Sequence, residues 1–303
     1  MMKAFILCYY GGLESIDGLT DFYTSVFGNR TPPNDYLHKA KQRFVEHGRP
    51  DPMYTVAKRQ QQALQMLIDK EQRHTKVYIA FKHSAPQIDS VVREAMADGA
   101  TAYDIFPMTP FHSRGGGEYY ANRVRKSLKA NDLSDQPVNL LTGWYDEPTF
   151  VKLMTERVKE AITWLPKDVQ INSALLFSVH SQPGTEEHNA SFIKQYEQLS
   201  QEIAAAVGMS EYVCSYRSAG PPPQVWLGPD NKEVAEELIK TGKQGIIAIE
   251  LLSVTENIEA ITEVQQDIQD ICHEHNVSFV TIDFLNDQFK FMHMLYNWYI
   301  KQI

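Results

Sequence analysis

The chain lacks the sequence features of several common protein classes. It has only three cysteines, Cys8, Cys214 and Cys272, and no CxxC pair, which argues against a disulfide framework, an iron–sulfur cluster and a cysteine zinc site. Its net charge of -9 provides no electrostatic basis for nucleic-acid binding, which needs a concentrated basic surface. The apolar run at the N terminus is too short to span a bilayer and lacks the cleavage region of a signal peptide. We therefore expect a reduced, cytoplasmic, soluble protein without an integral membrane segment.

The familiar catalytic motifs are also missing. No GxSxG segment is present, which counts against a hydrolase with a nucleophile elbow. The glycine-rich segment "HSRGGGEYY" (112–120) precedes a predicted helix and is suited in principle to binding an anion. It is neither a P-loop nor a GxGxxG fingerprint, so it gives little support for nucleotide binding.

Strand-like apolar runs alternate with amphipathic segments of helical length along the 303 residues. This alternation predicts parallel sheets that are covered by helices on both faces. We predict an α/β fold of two Rossmann-like parallel-sheet domains, 1–143 and 144–284, with a cleft between them. A C-terminal helix, residues 285–303, is predicted to pack across both. The predicted strands are residues 3–8, 76–81, 102–108, 138–141, 174–178, 211–215, 245–250 and 278–282.

Residues 253–271 combine an apolar stripe with a row of carboxylates. Ser253 and Glu256 have capping-box spacing, so a helix is predicted to begin near Ser253. Glu259, Glu263 and Asp267 then recur every four residues along one side of that helix, where like charges oppose one another. The residues alone leave two alternatives open. The row is either a solvated acidic face or a track that receives protons or hydrated divalent cations, and a nearby histidine would complete an iron or zinc site.

Two histidines follow predicted strands, at the edge of the sheet where α/β proteins bind ligands. His180 follows strand 174–178 and His83 follows strand 76–81. This symmetry predicts that both histidines face one cleft. A single histidine is more often a structural residue with a hydrogen-bonded ring, and the residues by themselves leave both interpretations open.

Several segments, taken together, are similar to characteristic segments of one enzyme family. They are "SVHSQPG" (178–184), "WYDEPTFV" (144–151), "VWLGPD" (225–230), "SVTENIEAITEVQQD" (253–267), "CYYGG" (8–12), "KAKQRF" (39–44) and "FKHSAP" (81–86). On these segments the chain resembles ferrochelatases, in particular the soluble Gram-positive type that acts on coproporphyrin III. The resemblance runs through nearly the whole chain and implies a chelatase-like version of the two-domain fold.

The resemblance implies a role for each matching residue. His180 falls on the metal-handling histidine of the family and Glu259 on its catalytic glutamate, so these two are the implied catalytic residues. The implied metal track comprises His180, Glu259, Glu263 and Asp267. Tyr10 is implied to lie towards the macrocycle face opposite His180. The implied porphyrin-binding residues are Tyr10, Arg30, Arg43, His83, Tyr120 and Trp226.

The activity that the resemblance implies is insertion of Fe(II) into a porphyrin, with coproporphyrin III as the expected substrate, in haem biosynthesis. Fe(II) is then a substrate and no cofactor is bound permanently, although the acidic row offers a place for an accessory divalent cation. The expected ligand is a porphyrin or haem. A haem-pathway protein partner is compatible with the resemblance, but no segment identifies one. Two alternatives stay open: a non-catalytic paralogue that binds haem or porphyrin, and a chelatase that works in reverse.

The segments implied to hold the carboxylates of the substrate depart from the family pattern. Asp51 stands where the family has a serine that helps to hold a propionate, and Phe27 and Gly28 stand where arginines occur. An acid beside a propionate is repulsive unless it is protonated or bridged by a cation. Arg114 is a residue that offers a compensating cation. We therefore expect the metal chemistry to be retained and the rim that anchors the substrate to differ.

Overall fold

The chain folds into two four-stranded parallel sheets that are covered by helices. The computed structural model describes residues 2–48, 50–71, 74–220 and 222–303. Each of the eight predicted strands overlaps an observed strand, so all eight are confirmed. The strands are β1 Met2–Tyr9, β2 Thr75–Phe81, β3 Ala100–Pro107, β4 Val138–Leu140, β5 Ser173–His180, β6 Tyr212–Arg217, β7 Gly245–Glu250 and β8 Ser278–Thr281.

Both sheets have the same strand order. The first is β2-β1-β3-β4 and the second is β6-β5-β7-β8, with every pair parallel. β1 and β5 are interior strands, and almost all of their residues are buried. Parallel strands that are buried on both faces are continuous apolar runs in sequence, which explains why the apolar runs predict them well.

Helices fill the connections between the strands. The segment "WYDEPTF" leads into α6 as predicted, with Pro148 in the first turn, where its missing N–H leaves no hydrogen bond unmade. Two π-helical turns, Arg114–Glu118 and Ile261–Gln266, precede α5 and α11. The helices are α1 Leu19–Val26, α2 Asn34–His47, α3 Met53–Lys70, α4 Ile88–Ala97, α5 Tyr119–Lys129, α6 Pro148–Thr163, α7 Lys167–Gln170, α8 Glu186–Val207, α9 Asn231–Lys240, α10 Ile258–Ala260, α11 Asp267–Glu274 and α12 Phe289–Gln302.

One large apolar core joins the two sheets. It contains residues from strands of both sheets together with side chains of α3, α6, α8 and α12. Trp144, in the segment between the sheets, is fully buried there, and its ring lies 4.9 Å from the ring of Phe150 and 6.2 Å from that of Phe106. Two smaller cores pack α4 and α5 on the first sheet and α9 and α11 on the second. The large core contains residues from both predicted domains, and the predicted domain boundaries stay a prediction.

The C-terminal helix α12 packs against α3 of the first half and α6 of the second. Its Tyr299 stacks on Phe5 of β1 with 3.9 Å between ring centroids, and the hydroxyl donates to Asp104 Oδ2 at 2.9 Å. Asp104 is fully buried, accepts from Asn139 at 2.8 Å and lies 3.1 Å from Lys3 Nζ. A buried polar contact therefore attaches α12 to the first sheet.

The three cysteines are free thiols, with Cys8 and Cys272 buried and Cys214 half-buried. Burial raises the pKa of Cys272 to about 11, so this thiol is protonated at neutral pH. Within the described ranges, no helix has both the length and the apolar character that crossing a membrane requires.

Replacing Tyr299 with Phe removes the hydroxyl donor to Asp104 and keeps the stack on Phe5. We expect the free energy of unfolding to fall by about 1–3 kcal/mol, because a buried acceptor loses a hydrogen bond. Urea denaturation measures this change. Tyr212→Phe, at a half-buried tyrosine of β6, is the control and should change the free energy by less than about 0.5 kcal/mol. An unchanged value for Tyr299→Phe would show that the contact adds no stability.

Candidate active site

The candidate site lies where the carboxyl ends of β5, β6 and β7 meet the helix that follows β7. His180, Arg217 and Glu250 are the last residues of these three strands. They are neighbours because β5 lies between β6 and β7. The acidic helix, defined here as residues 258–274, brings further carboxylates to the same edge. Open α/β sheets bind their ligands at this edge.

His180 forms a pair with Glu259. The Nδ1 atom of His180 lies 2.7 Å from the carbonyl oxygen of Ser181. Since a carbonyl can only accept, Nδ1 carries the proton in the neutral ring and Nε2 has the free lone pair. Nε2 lies 3.7 Å from Glu259 Oε2, and the two side chains are 27% and 31% exposed. This pair is chemically suited to accept a proton or to bind a metal ion.

Arg217 links three carboxylates. Its Nε donates to Glu250 Oε2 at 2.9 Å, and its Nη1 donates to Glu259 Oε2 at 3.1 Å. Nη1 also lies 3.6 Å from Glu263 Oε2, and Nη2 donates to Ser253 Oγ at 3.1 Å. The Arg217 side chain is only 3% exposed. Burial lowers its pKa, but the three negative charges raise it above the ordinary value, so the guanidinium is charged.

The remaining carboxylates of the predicted row are also paired with cations. Glu263 Oε1 lies 3.0 Å from Arg43 Nη2, and Glu263 Oε2 accepts from Ser218 Oγ. Asp267 Oδ2 lies 2.8 Å from Lys232 Nζ. The row is therefore a series of ion pairs, which offsets the repulsion between like charges at four-residue spacing.

The two glutamates of the site have opposite pKa shifts. Burial raises the pKa of Glu259, but the positive charges of protonated His180, Arg217 and Arg43 lower it by more, so the net pKa lies below the ordinary value. Burial and the charge of Glu259 raise the pKa of Glu263 above its ordinary value, against the lowering effect of the two arginines. The raised pKa expected of neighbouring carboxylates therefore belongs to Glu263, while Glu259 is ionised at neutral pH.

The acidic helix begins later than predicted. Its N-cap is Asn257, whose side chain accepts from the backbone N–H three residues on at 2.9 Å, and the helix begins at Ile258. Ser253 does not cap the helix: its side-chain oxygen accepts from Arg217 Nη2 at 3.1 Å, and its N–H donates to Glu250 Oε1 at 2.8 Å. The predicted start near Ser253 is therefore wrong, since the carboxylate at the end of β7 holds this residue in the preceding loop. The π-helical turn Ile261–Gln266 is a distortion found frequently at functional sites.

The first half of the chain holds the loop before the acidic helix. Tyr9, at the end of β1, donates from its hydroxyl to Gln60 Oε1 at 2.7 Å. The Gln60 side chain, which is fully buried, donates to Thr255 Oγ1 at 3.1 Å and to the carbonyl of Asn286 at 2.8 Å. The Asn286 side chain accepts from the backbone N–H of Glu256 at 2.9 Å. A buried polar network therefore connects the first sheet to the segment that positions Glu259.

Asp51 joins the N-termini of two helices. Its Oδ1 accepts from the backbone N–H of Met53 at 2.9 Å, and its Oδ2 accepts from that of Ile258 at 3.5 Å. Burial raises the pKa of Asp51 to about 7, with the two backbone N–H groups lowering it and the charges of Glu259 and Glu256 raising it. Both oxygens of Asp51 thus have partners inside the protein. The expectation that Asp51 faces a carboxylate of the substrate stays a prediction.

Tyr10 and His83 lie together at the end of the first sheet. Their rings are 4.6 Å apart in an edge-to-face arrangement, and His83 Nδ1 lies 3.0 Å from Ser25 Oγ. Burial and the charge of Lys82 lower the pKa of His83 to about 4, so its ring is neutral at pH 7. Burial and the charge of Glu259, a carboxylate of the second half, raise the pKa of Tyr10.

The sequence analysis predicts that His83 and His180 occupy symmetric positions in the two halves, but they do not. The common strand order makes β5 the counterpart of β1, so the counterpart of His180 lies where Tyr9 and Tyr10 stand. His83 follows β2, and the counterpart of β2 is β6, which ends in Arg217. The predicted symmetry is therefore wrong, because strand ends that look alike in sequence occupy different places in a sheet.

The two predicted arginines lie in different environments. Arg43, on α2, is brought to the site by its ion pair with Glu263, and its side chain is 36% exposed. Arg30 is exposed and donates from Nε to the carbonyl of Phe27 at 3.1 Å within its own loop. Only Arg43 of this pair therefore contacts another predicted site residue.

The two remaining predicted porphyrin-binding residues are Tyr120 and Trp226. Tyr120 is 5% exposed and packs in the core on the first sheet, whereas the exposed tyrosine at this point is Tyr119, whose ring lies 4.2 Å from Lys82 Nζ. Trp226 is half-buried against Gly220, where an added Cβ would lie 2.5 Å from the indole. Their predicted contact with a porphyrin stays a prediction.

Arg217 and Glu250 are site residues that the sequence analysis missed. Each ends a strand whose other residues are largely apolar. The rule that singles out His180, a polar residue at the carboxyl end of a buried strand, also fits both of these positions. Within the described residues, no group of three or more histidine, cysteine, aspartate or glutamate side chains is arranged to hold a metal ion.

The raised pKa of Asp51 predicts a pH-dependent stability. The ordinary pKa of an aspartate is about 3.9, so between about pH 4 and 7 the folded protein binds more protons than the unfolded chain, and stability falls as pH rises. Asp51→Asn cannot ionise and should lose this dependence. We expect the unfolding free energy of Asp51→Asn, relative to the wild type, to rise by up to about 1.4 kcal/mol per pH unit in that window.

Urea denaturation at several pH values across the window measures the difference, which should level off above about pH 7. Asp135→Asn, at an exposed position, is the matched control and should show a difference that is constant with pH. A constant difference for Asp51→Asn would contradict the raised pKa.

Sequence comparison identifies relatives along the whole chain. The ferrochelatase family model matches residues 2–303. The chain is 26% identical over 298 residues to the coproporphyrin III ferrochelatase of Bacillus subtilis (strain 168), covering 97% of this chain and 96% of that protein. It is 26% identical over 300 residues to a ferrochelatase of Herpetosiphon aurantiacus, covering 96% of each.

Two solved chelatase-like structures share the fold. The sirohydrochlorin chelatase SirB from Bacillus subtilis subspecies spizizenii, in complex with cobalt, has a TM-score of 0.56 at 12% identity and covers 98% of this chain and 93% of that chain. DR2241 from Deinococcus radiodurans has a TM-score of 0.53 at 10% identity and covers 97% of this chain and 54% of that chain. These likenesses confirm the predicted chelatase-like α/β fold of two parallel sheets. Since the family model spans residues 2–303, the chain belongs to the ferrochelatase family.

Proposed function

We propose that the protein inserts Fe(II) into a porphyrin and that its substrate is coproporphyrin III. The observation that carries this proposal is the His180–Glu259 pair, in which a free imidazole lone pair lies 3.7 Å from a carboxylate oxygen at the edge of the second sheet. Membership of the ferrochelatase family supports the reaction type. The similarity to a Bacillus subtilis protein described as a coproporphyrin III ferrochelatase supports the choice of substrate.

Metal insertion exchanges protons for a metal ion. The free porphyrin has two N–H groups, and Fe(II) replaces both hydrogens, so each insertion releases two protons. In our proposal His180 Nε2 accepts one of these two protons and the ionised Glu259 accepts the other. Glu263, whose pKa is raised, binds a proton more readily than an ordinary glutamate and is suited to pass it on.

The acidic helix offers a path from this pair towards solvent. Along it, Glu259 is followed by Glu263 and then by Asp267, which pairs with Lys232, a side chain that is 54% exposed. In our proposal these carboxylates relay protons outwards or Fe(II) inwards. The ion pairs along the path keep it from carrying a large uncompensated negative charge.

The first half supplies a surface suited to a flat, anionic ring system. Tyr10 is 43% exposed and Tyr119 is 37% exposed. Lys82 Nζ lies 4.2 Å from the ring of Tyr119 and 5.9 Å from the ring of Tyr10. In our proposal the tyrosines contact the macrocycle, together with His83, and Lys82 attracts one of its carboxylates.

A porphyrin- or haem-binding protein without turnover is the second candidate function. It is favoured by the ion pairs at Glu259, Glu263 and Asp267, which occupy the oxygens that a metal ion would use. The altered residues at the predicted rim, Asp51 among them, favour it as well. The two candidates differ in whether the protein converts more substrate than its own amount.

Anaerobic incubation with Fe(II) and coproporphyrin III separates the two candidates. Metal insertion changes the visible absorbance of a porphyrin, so the spectrum follows conversion. We expect many molecules of porphyrin to be converted per protein molecule. A shift that stops at one porphyrin per protein would reject the enzymatic proposal and support the second candidate. Release of free porphyrin from its iron complex would identify the reverse reaction.

Substitution at His180 or Glu259 tests their proposed roles. We expect His180→Ala and Glu259→Gln each to lower kcat by at least about 100-fold, since each removes a proton acceptor, while circular dichroism shows an unchanged fold. His275→Ala and Glu274→Gln, at exposed positions on the same helix or just after it, are the matched controls and should keep their activity. Near-normal turnover in either test variant would exclude that residue from the chemistry.

A further inference from the structure

The buried, positively charged side chain of Arg217 lies in the site that receives Fe(II) in the proposed function. Its guanidinium contacts oxygens from three places in the fold: Glu250 at the end of β7, Glu259 in α10 and Glu263 in the π-helical turn. The side chain is 3% exposed. None of the segments that resemble ferrochelatases includes Arg217, so the resemblance gives it no role.

The contacts of Arg217 form a chain in which each group holds the next one in place. The Oε1 atom of Glu250 accepts from the backbone N–H groups of Leu252 at 3.0 Å and Ser253 at 2.8 Å, and its Oε2 accepts from Arg217 Nε. The backbone after β7 thus fixes Glu250, and Glu250 fixes one edge of the guanidinium. Because the guanidinium is planar and rigid, its Nη1 is then held towards Glu259 and Glu263.

This arrangement also opposes a resident metal ion. A histidine with two nearby carboxylates is a donor set that suits divalent iron, cobalt or zinc. Here Glu259 and Glu263 are turned to a shared guanidinium nitrogen, at 3.1 and 3.6 Å. A divalent cation on the same oxygens would be repelled by the positive charge of Arg217, and burial strengthens that repulsion.

Building on the proposed function, we propose that Arg217 is a positioning residue with two effects. It holds Glu259 beside His180 in the geometry needed for proton transfer, and it keeps a divalent metal ion from residing on the Glu259–Glu263 pair. The metal ion is therefore passed to the substrate rather than stored. This inference departs from the expected accessory cation on the acidic row, because the place of that cation is taken by a side chain.

The test replaces Arg217 and Glu250 together by glutamine. Removing Arg217 alone would leave the buried Glu250 without its cation. The double variant Arg217→Gln, Glu250→Gln removes both members of that pair and leaves Glu259 beside His180 and Glu263 paired with Arg43. Titration of the full chain with Co(II), followed by visible absorbance, measures metal affinity without any porphyrin. We expect the double variant to bind Co(II) at least about tenfold more tightly than the wild type, because the repulsion is removed.

Two control variants separate the charge of Arg217 from general effects. Glu250→Gln alone keeps the arginine and should not tighten Co(II) binding. Arg123→Gln breaks a surface pair, in which Arg123 Nε lies 2.9 Å from Asp89 Oδ1, and should leave both affinity and activity unchanged. Circular dichroism checks the fold of every variant.

The positioning effect is read from steady-state kinetics with Fe(II) as the varied substrate. In the double variant we expect kcat to fall by at least about tenfold and KM for Fe(II) to fall as well, since the metal ion is retained. Arg217→Lys keeps the positive charge but lacks the planar, multidentate guanidinium. This variant should keep the weak Co(II) binding of the wild type, and its kcat should lie between those of the wild type and the double variant.

Unchanged or weaker Co(II) affinity in the folded double variant would overturn the proposal, as would an equal gain in Glu250→Gln. The Co(II) titration contains no porphyrin, so it decides the effect of Arg217 on resident metal even if the wild type proves not to insert Fe(II). Failure of the proposed function would appear instead as absence of turnover in the wild type.

Discussion

The buried guanidinium of Arg217 is the interaction on which the geometry of the site depends. It connects the end of β6 to the end of β7 through Glu250, and both strands to the acidic helix through Glu259 and Glu263. Carboxylates this close together would repel one another strongly in a buried environment without a cation between them. Ion pairing at this point is what allows the fold to hold an ionised glutamate beside His180.

The acidic helix follows the second sheet in sequence, but the first half of the chain holds it in place. Asp51 accepts from its first backbone N–H, Arg43 pairs with Glu263, and the buried Gln60 contacts the loop that precedes it. The site is therefore assembled from both halves. A change in the first half therefore reaches the acidic helix directly, as Asp51 does through the backbone N–H of Ile258.

The sequence predictions are accurate where burial alone determines the outcome. The eight strands are confirmed, and the four interior strands among them are largely buried apolar runs. The helix α6 begins at Pro148 because proline within a helix is tolerated only in the first turn. The predictions are wrong where a distant polar group competes. Ser253 has the spacing of a helix cap, yet its side-chain oxygen accepts from Arg217 and its N–H donates to Glu250. The porphyrin contact implied for Tyr120 stays a prediction; this side chain packs in the core, whereas that of Tyr119 is exposed.

The sequence by itself determined the layered α/β architecture and the membership of the chain in its family. It also determined that His180 lies at the end of a strand and Glu259 near the start of a helix. Only the tertiary structure decided which charges meet. Nothing in a four-residue spacing shows that Glu259 pairs with Arg217, that Glu263 pairs with Arg43, or that these contacts separate the pKa values of the two glutamates. The reason is physical: charge interactions depend on distance and burial, and both are properties of the folded chain.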